Sequence, residues 1–147
     1  MTNPKAYMLI VEDSDEDYYA TERTLKKSGV ANTLVRCEDG EKAIHYLYRQ
    51  GEFSHLSNDP LPNIILLDLN LPKMDGRDVL AKIKNDPNLK KIPVVVFTTS
   101  TNEKDIKHCY EYGANSYIQK PVDLEGLMKA IQRLKDYWFE IVVLPVR

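Results

Sequence analysis

Asp68 ends the run Asn63-Ile64-Ile65-Leu66-Leu67 and opens the turn-rich stretch Leu69-Asn70-Leu71-Pro72-Lys73-Met74-Asp75-Gly76. A continuous apolar run reads as a buried strand, here one that carries a carboxylate to a sheet edge. Three further runs stop on related groups: Tyr7 to Val11 on Glu12-Asp13, Val94 to Phe97 on Thr98, and Ser116 to Gln119 on Lys120. In an open parallel sheet the C-terminal strand ends form the ligand-binding edge, so these groups are expected to converge there. Three carboxylates in one place repel unless a cation sits among them. Ligation by oxygen without sulfur favours a hard ion such as Mg2+. Asp13 and Asp68 are expected as direct ligands, Glu12 directly or through water, and the backbone carbonyl of Asn70 as a further ligand. Beside a metal, Asp68 is a nucleophilic carboxylate able to form an aspartyl phosphate. The metal would neutralise charge on the phosphoryl oxygens, Lys120 would act as a point-charge donor, and the Thr98 hydroxyl would hydrogen-bond a third oxygen. This division of labour makes Asp68 chemically essential and the others supporting.

The elements that must position these groups alternate along the chain. Short apolar runs are strands and longer amphipathic stretches are helices, the pattern of repeated strand–helix units. The first helix follows a Ser14 cap, with Asp17 in a weak capping-box role, and ends at Gly29. Thr33 to Cys37 alternates and reads as a strand near a sheet edge. The second helix is expected over Glu41 to Gln50, with Ala43, Ile44 and Leu47 inward, and Gly51 to Pro62 as a loop. The third helix spans Gly76 to Asn85 and the fourth Glu103 to Tyr112, stopped by Gly113. Asp123 caps a fifth helix whose apolar stripe is Leu124, Leu127, Met128, Ile131, Leu134 and Trp138. The expected fold is α/β: five strand–helix units in a doubly wound, five-stranded parallel sheet with helices on both faces, a three-layer sandwich.

The 147 residues are read as one domain, with its core at about 7–138 and a C-terminal extension at 139–147. A net charge of −2 gives no general attraction to nucleic acid or anionic membrane. No apolar run approaches the roughly 20 residues of a membrane helix, and no signal-peptide pattern opens the chain. Cys37 and Cys109 are too few for a disulfide framework and read as reduced thiols of a cytoplasmic protein. His45, His55 and His108 lack metal-ligand spacing, and Glu103, Lys104, Asp105 and Lys107 read as a solvated helix face.

Val11-Glu12-Asp13, Leu66 to Gly76, Val96-Phe97-Thr98 and Tyr117-Ile118-Gln119-Lys120-Pro121, in this order, resemble the CheY-like receiver domain of two-component response regulators. The resemblance covers about Tyr7 to Trp138 and implies the flavodoxin-like, CheY-like sheet order. It implies phosphotransfer from a phosphohistidine of a sensor histidine kinase to Asp68, with Mg2+, and slow self-catalysed hydrolysis of the acyl phosphate. It also implies that Thr98 and Tyr117 form a switch, that Pro121 follows a cis peptide bond aiming Lys120 inward, and that Asn70 and Ser100 tune dephosphorylation. Neither of the last two is a strong base, so a fairly long-lived phosphoryl state is expected. Two departures stand out: Glu12 replaces the first Asp of the usual acidic pair, and the 51–62 connection is long. With that loop and the tail Trp138-Phe139-Glu140-Ile141-Val142-Val143-Leu144-Pro145, the chain resembles the small single-domain regulators that partner cyanobacterial phytochromes.

The apolar tail from Phe139 to Val146 suggests a homodimer through the helix 4–strand 5–helix 5 face and the tail. With no DNA-binding module, output is expected through protein–protein contact. Three other readings compete. An aspartyl-phosphate phosphatase would need an acid two residues after Asp68, where Asn70 stands, and a cap domain. A nucleotide- or flavin-binding protein would need a Gly-rich loop after the first strand, where Glu12-Asp13 stands. A phosphate-independent pseudo-receiver has no need of Asp13, Asp68, Thr98 and Lys120 together.

Overall fold

The computed structural model describes residues 7–30, 33–141 and 145. Five strands, β1 (Tyr7–Val11), β2 (Thr33–Cys37), β3 (Ile64–Leu67), β4 (Val94–Thr98) and β5 (Ser116–Gln119), alternate with α1 (Asp15–Lys27), α2 (Gly40–Tyr48), α3 (Gly76–Asn85), α4 (Glu103–Glu111) and α5 (Leu124–Lys135). The strands form one parallel sheet in the order β2-β1-β3-β4-β5. The doubly wound α/β expectation therefore holds. Strand composition follows position: β1, β3 and β4 are buried along their whole length, whereas β2 and β5, at the edges, are mostly half-exposed.

Alternation along the central strands divides the core in two. Leu9, Val11, Ile65, Leu67, Val94 and Val96 pack with Ala43, Ile44, Leu47, Val79, Leu80, Ile83 and Cys109 from α2, α3 and α4. Met8, Ile10, Ile64, Leu66, Val95 and Phe97 pack with Tyr18 and Leu25 of α1 and with Leu127, Ile131 and Leu134 of α5. Helix starts are fixed by side-chain caps: Ser14, Asp39, Asp75, Asn102 and Asp123 each accept a main-chain N–H of the first turn.

Some expectations change. The second helix begins at Gly40, capped by Asp39, and ends at Tyr48, because Arg49 adopts a left-handed conformation with φ 55°. Residues 51–62 are not plain loop: Gly51–Leu56 is a 3-10 turn. The segment is clasped by Arg49 Nη2, which donates to Pro60 O at 2.7 Å, and by the Tyr7 hydroxyl, which donates to the same oxygen at 2.8 Å. Leu124, the first residue of α5, is 59% exposed rather than part of the buried stripe, and Met128 is half-buried. A π-helical turn, Asp136–Ile141, continues α5 and buries Trp138 and Phe139 against the α1–α5 side. Residues 142–144 and 146–147, most of the tail expected to join a dimer, lie outside the described residues.

Candidate phosphoacceptor site

The register carries the chemistry to one edge. Val11 pairs with Leu67 across β1–β3 and Leu67 with Val96 across β3–β4, so Glu12 and Asp68 follow directly on neighbouring strands. Thr98 pairs with Gln119 across β4–β5, and Lys120 comes next. Its main-chain N–H donates to Thr98 O at 2.6 Å. Glu12, Asp68, Thr98 and Lys120 are all buried, while Asp13 is exposed.

Lys120 is the hub. Its ammonium donates to Glu12 Oε1 at 2.6 Å, to Asp17 Oδ2 at 3.0 Å and to Asp68 Oδ2 at 3.2 Å. The Glu12 carboxylate also accepts the Ser14 N–H at 3.2 Å, and the Asn70 N–H donates to Asp68 Oδ1 at 3.3 Å. Burial pushes Glu12 up to about 7 against the opposing pull of Lys120, with the Asp68 charge adding to the rise. Burial pulls the Lys120 ammonium down, but Glu12 and Asp68 outweigh it and hold it above the ordinary lysine range. The two shifts have different leading causes: burial raises Glu12, whereas at Lys120 the surrounding carboxylates outweigh burial. One oxygen from each of Glu12, Asp13 and Asp68 lies within 4.8 Å of the others, a group able to hold a divalent cation.

Asp17 is the residue that sequence reasoning misplaced. Its side chain completes the Lys120 cage, and the reciprocal contact to the capped end of α1 comes from Glu12 instead. Nothing in the local pattern of α1 signals a partner more than a hundred residues away. The proline after Lys120 is also corrected. Every peptide bond among the described residues is trans, so Pro121 does not follow a cis bond. Trans is the favoured X-Pro isomer, and the Lys120 side chain already points at the carboxylates.

The turn after Asp68 is shaped by close approach. Asp75 caps α3, and a Cβ on Gly76 would overlap the main-chain oxygen of Asp68 and the Cα of Leu69. Gly40 has the same relation to the main chain of Met74. Thr98 is fully buried, and its Oγ1 accepts the Ser100 N–H at 3.4 Å. The Tyr117 ring is half-buried against the α2–α3–α4 side of the core, and its hydroxyl donates to Ser100 O at 3.0 Å. Cys37 and Cys109 are free, buried thiols, pushed by burial up to about 12 and about 11, and so protonated near neutrality. Among the described residues no helix is long and apolar enough to cross a membrane.

A five-stranded, doubly wound sheet that brings three carboxylates, a buried threonine and a lysine to its C-terminal edge defines a receiver-type α/β module. The family model for the response regulator receiver domain matches residues 8–132, and the chain belongs to that family. It is 47% identical over 144 residues to response regulator Rcp1 of Synechocystis sp., covering 98% of this chain and 96% of that protein. The solved structure of the Mn(2+)-bound form of Rcp1 matches with a TM-score of 0.90 over 96% of this chain and 99% of that one. The phosphorylated cyanobacterial phytochrome response regulator RcpA, 42% identical, also matches at 0.90, over 97% of this chain and 99% of that one.

Proposed function

We propose that this chain accepts a phosphoryl group on Asp68 from the phosphohistidine of a sensor kinase, of phytochrome type, and signals in the cytoplasm through phosphorylation-dependent protein contacts. The observation that carries this reading is the Lys120 ammonium held between Glu12 and Asp68 in a buried acidic pocket. In the transfer, Asp68 Oδ attacks phosphorus, the new O–P bond forms as the N–P bond breaks, and the histidine nitrogen keeps the electron pair.

Glu12, Asp13 and Asp68, with the Asn70 carbonyl, would hold Mg2+, which supplies neutralisation of charge on the phosphoryl oxygens. Lys120 offers a positive charge that is already desolvated and aimed. The Thr98 hydroxyl follows the phosphoryl group, and Tyr117, hydrogen-bonded to the segment after Thr98, carries the change to the α4–β5–α5 face. Water returns Asp68 to the carboxylate slowly, in a self-catalysed hydrolysis tuned at Asn70 and Ser100. Exposed Tyr110, Tyr112, Val122 and Leu124 around that face support a homodimer there.

Radiolabelled phosphate on an autophosphorylated phytochrome-type histidine kinase should move to the wild-type chain and not to Asp68→Asn. Transfer to both would reject Asp68 as the acceptor. Light scattering on the phosphorylated chain should give twice the 17.0 kDa chain mass. A monomer mass with and without phosphate would reject the dimer.

A further inference from the structure

A second polar cluster lies beside the acidic pocket and joins α3 to α4. Arg77 Nε and Nη2 donate to Asp105 Oδ1 and Oδ2 at 2.6 and 2.7 Å, a two-point fork. Arg77 Nη1 donates to both oxygens of Asp75, the α3 cap, at 3.0 Å. Asp105 Oδ2 has a further lone pair, and the Ser100 hydroxyl donates to it at 2.7 Å. Ser100 stands two residues beyond Thr98. Its N–H reaches Thr98 Oγ1 at 3.4 Å, and its carbonyl accepts the Tyr117 hydroxyl at 3.0 Å.

Groups outside the segment leaving β4 therefore hold it at three points, one on the expected switch threonine, one on the expected switch tyrosine, and one on the ion pair, and within it the Asn102 N–H donates to the Ser100 hydroxyl at 3.3 Å. The first contact is long. The contact to Asp105 is short and charge-assisted, which makes it the firmest of the three. The side chains of Arg77 and Asp105 are 30% and 16% exposed. A planar fork in such surroundings is directional in a way that a freely solvated ion pair is not. It fixes the Asp105 carboxylate, and the carboxylate fixes the Ser100 hydroxyl.

We propose that Arg77 and Asp105 are positioning residues for the phosphorylated site: by holding Ser100, the pair keeps the segment after Thr98 in place beside the acceptor, limits the approach of water and lengthens the life of the acyl phosphate. The proposal rests on Asp68 being the acceptor. In the step it slows, a water oxygen bonds to phosphorus, the bond from phosphorus to Asp68 Oδ breaks, and inorganic phosphate leaves with the water's protons. Asp68 is restored as a carboxylate. When the Thr98 hydroxyl turns toward a phosphoryl oxygen, the Ser100 N–H loses its acceptor, and the tie to Asp105 becomes the main restraint on the segment.

A simple brace between two helices would change stability but not the rate of hydrolysis. The experiment separates the two. Wild type, Asp105→Asn, Ser100→Ala and the double variant are loaded with acetyl phosphate and Mg2+, stripped of donor, and followed by intact mass, with melting curves alongside. Each single variant should load fully and lose its phosphoryl group about twofold faster or more, the low end of coupling between contacting residues. The double variant should be no faster than either single one, because both remove the same tie. Arg77→Lys, which keeps the charge but not the fork, should also shorten the lifetime. Should Asp105→Asn fail to fold, Ser100→Ala and Arg77→Lys carry the comparison. Unchanged lifetimes, or effects that multiply in the double variant, overturn the proposal. A wild type that never gains mass removes the acceptor reading itself, a failure visible before any variant is compared.

Discussion

The Lys120 ammonium lies 2.6 Å from Glu12 Oε1 and 3.2 Å from Asp68 Oδ2, so its tightest partner is not the expected acceptor but the neighbouring glutamate. The longer side chain in place of the usual aspartate reaches the lysine directly. Lys120→Met would leave buried carboxylates without their counter-ion. Breaking a buried pair from one side costs roughly 3–5 kcal/mol. Urea unfolding should show a loss of that order, partly recovered by a divalent cation that binds the folded state. A midpoint equal to wild type without cation would contradict the electrostatic account of the pocket.

Asp13 is exposed, unlike Glu12 and Asp68, and among these three it alone makes no hydrogen bond to Lys120 among the described residues. Asp13→Asn should therefore fold like wild type but bind Mg2+ or Mn2+ at least tenfold more weakly, on the order of the loss of one charged ligand. Calorimetric titration with each ion checks this. Undiminished affinity would remove Asp13 from the ligand set.

Gly76 is required by space rather than by backbone twist, since an added methyl would meet the Asp68 main-chain oxygen. Gly76→Ala should cost about 1–3 kcal/mol, as overpacking does. It should also lower phosphoryl uptake, because the strain falls on the acceptor's own peptide. Thermal melting and acetyl phosphate loading measure the two effects. Full loading with unchanged stability would contradict the close approach.

Asp105 is held down to about 2 by the Arg77 fork first and the Ser100 hydroxyl second. A carboxyl whose folded value lies below its ordinary 3.8 stabilises the fold above that value and loses the contribution as pH falls toward 2. The stability difference between wild type and Asp105→Asn should thus be constant from pH 5 to 7 and shrink as pH falls from about 4 toward 2. Denaturant titrations across that range would show it. A difference that does not change with pH would mean the ion pair contributes nothing by its charge.

Much of this was legible in the chain. Strands β1, β3 and β4 announce themselves because burial on both faces demands unbroken apolar runs, and each ends on a group that solvent or a ligand must meet. Ser14 and Asp123 are readable as caps because capping is local. What escaped depends on distance in sequence. Asp17 looks like an ordinary first-turn acid until Lys120 arrives from the far end of the sheet. Asp105 reads as part of a solvated helix face, yet Arg77, twenty-eight residues earlier, turns it inward. Arg49 gives no hint of its left-handed backbone, which closes α2 as the Gln50 N–H donates back to His45 O and is usually the place of a glycine.

Asp68 is the residue expected to take the phosphoryl group. Incubation with acetyl phosphate and Mg2+, read by intact mass, tests it in wild type and in Asp68→Asn side by side. A gain of about 80 Da, one phosphoryl group, is predicted in wild type alone. No gain in a folded wild type, or an equal gain in Asp68→Asn, would contradict it.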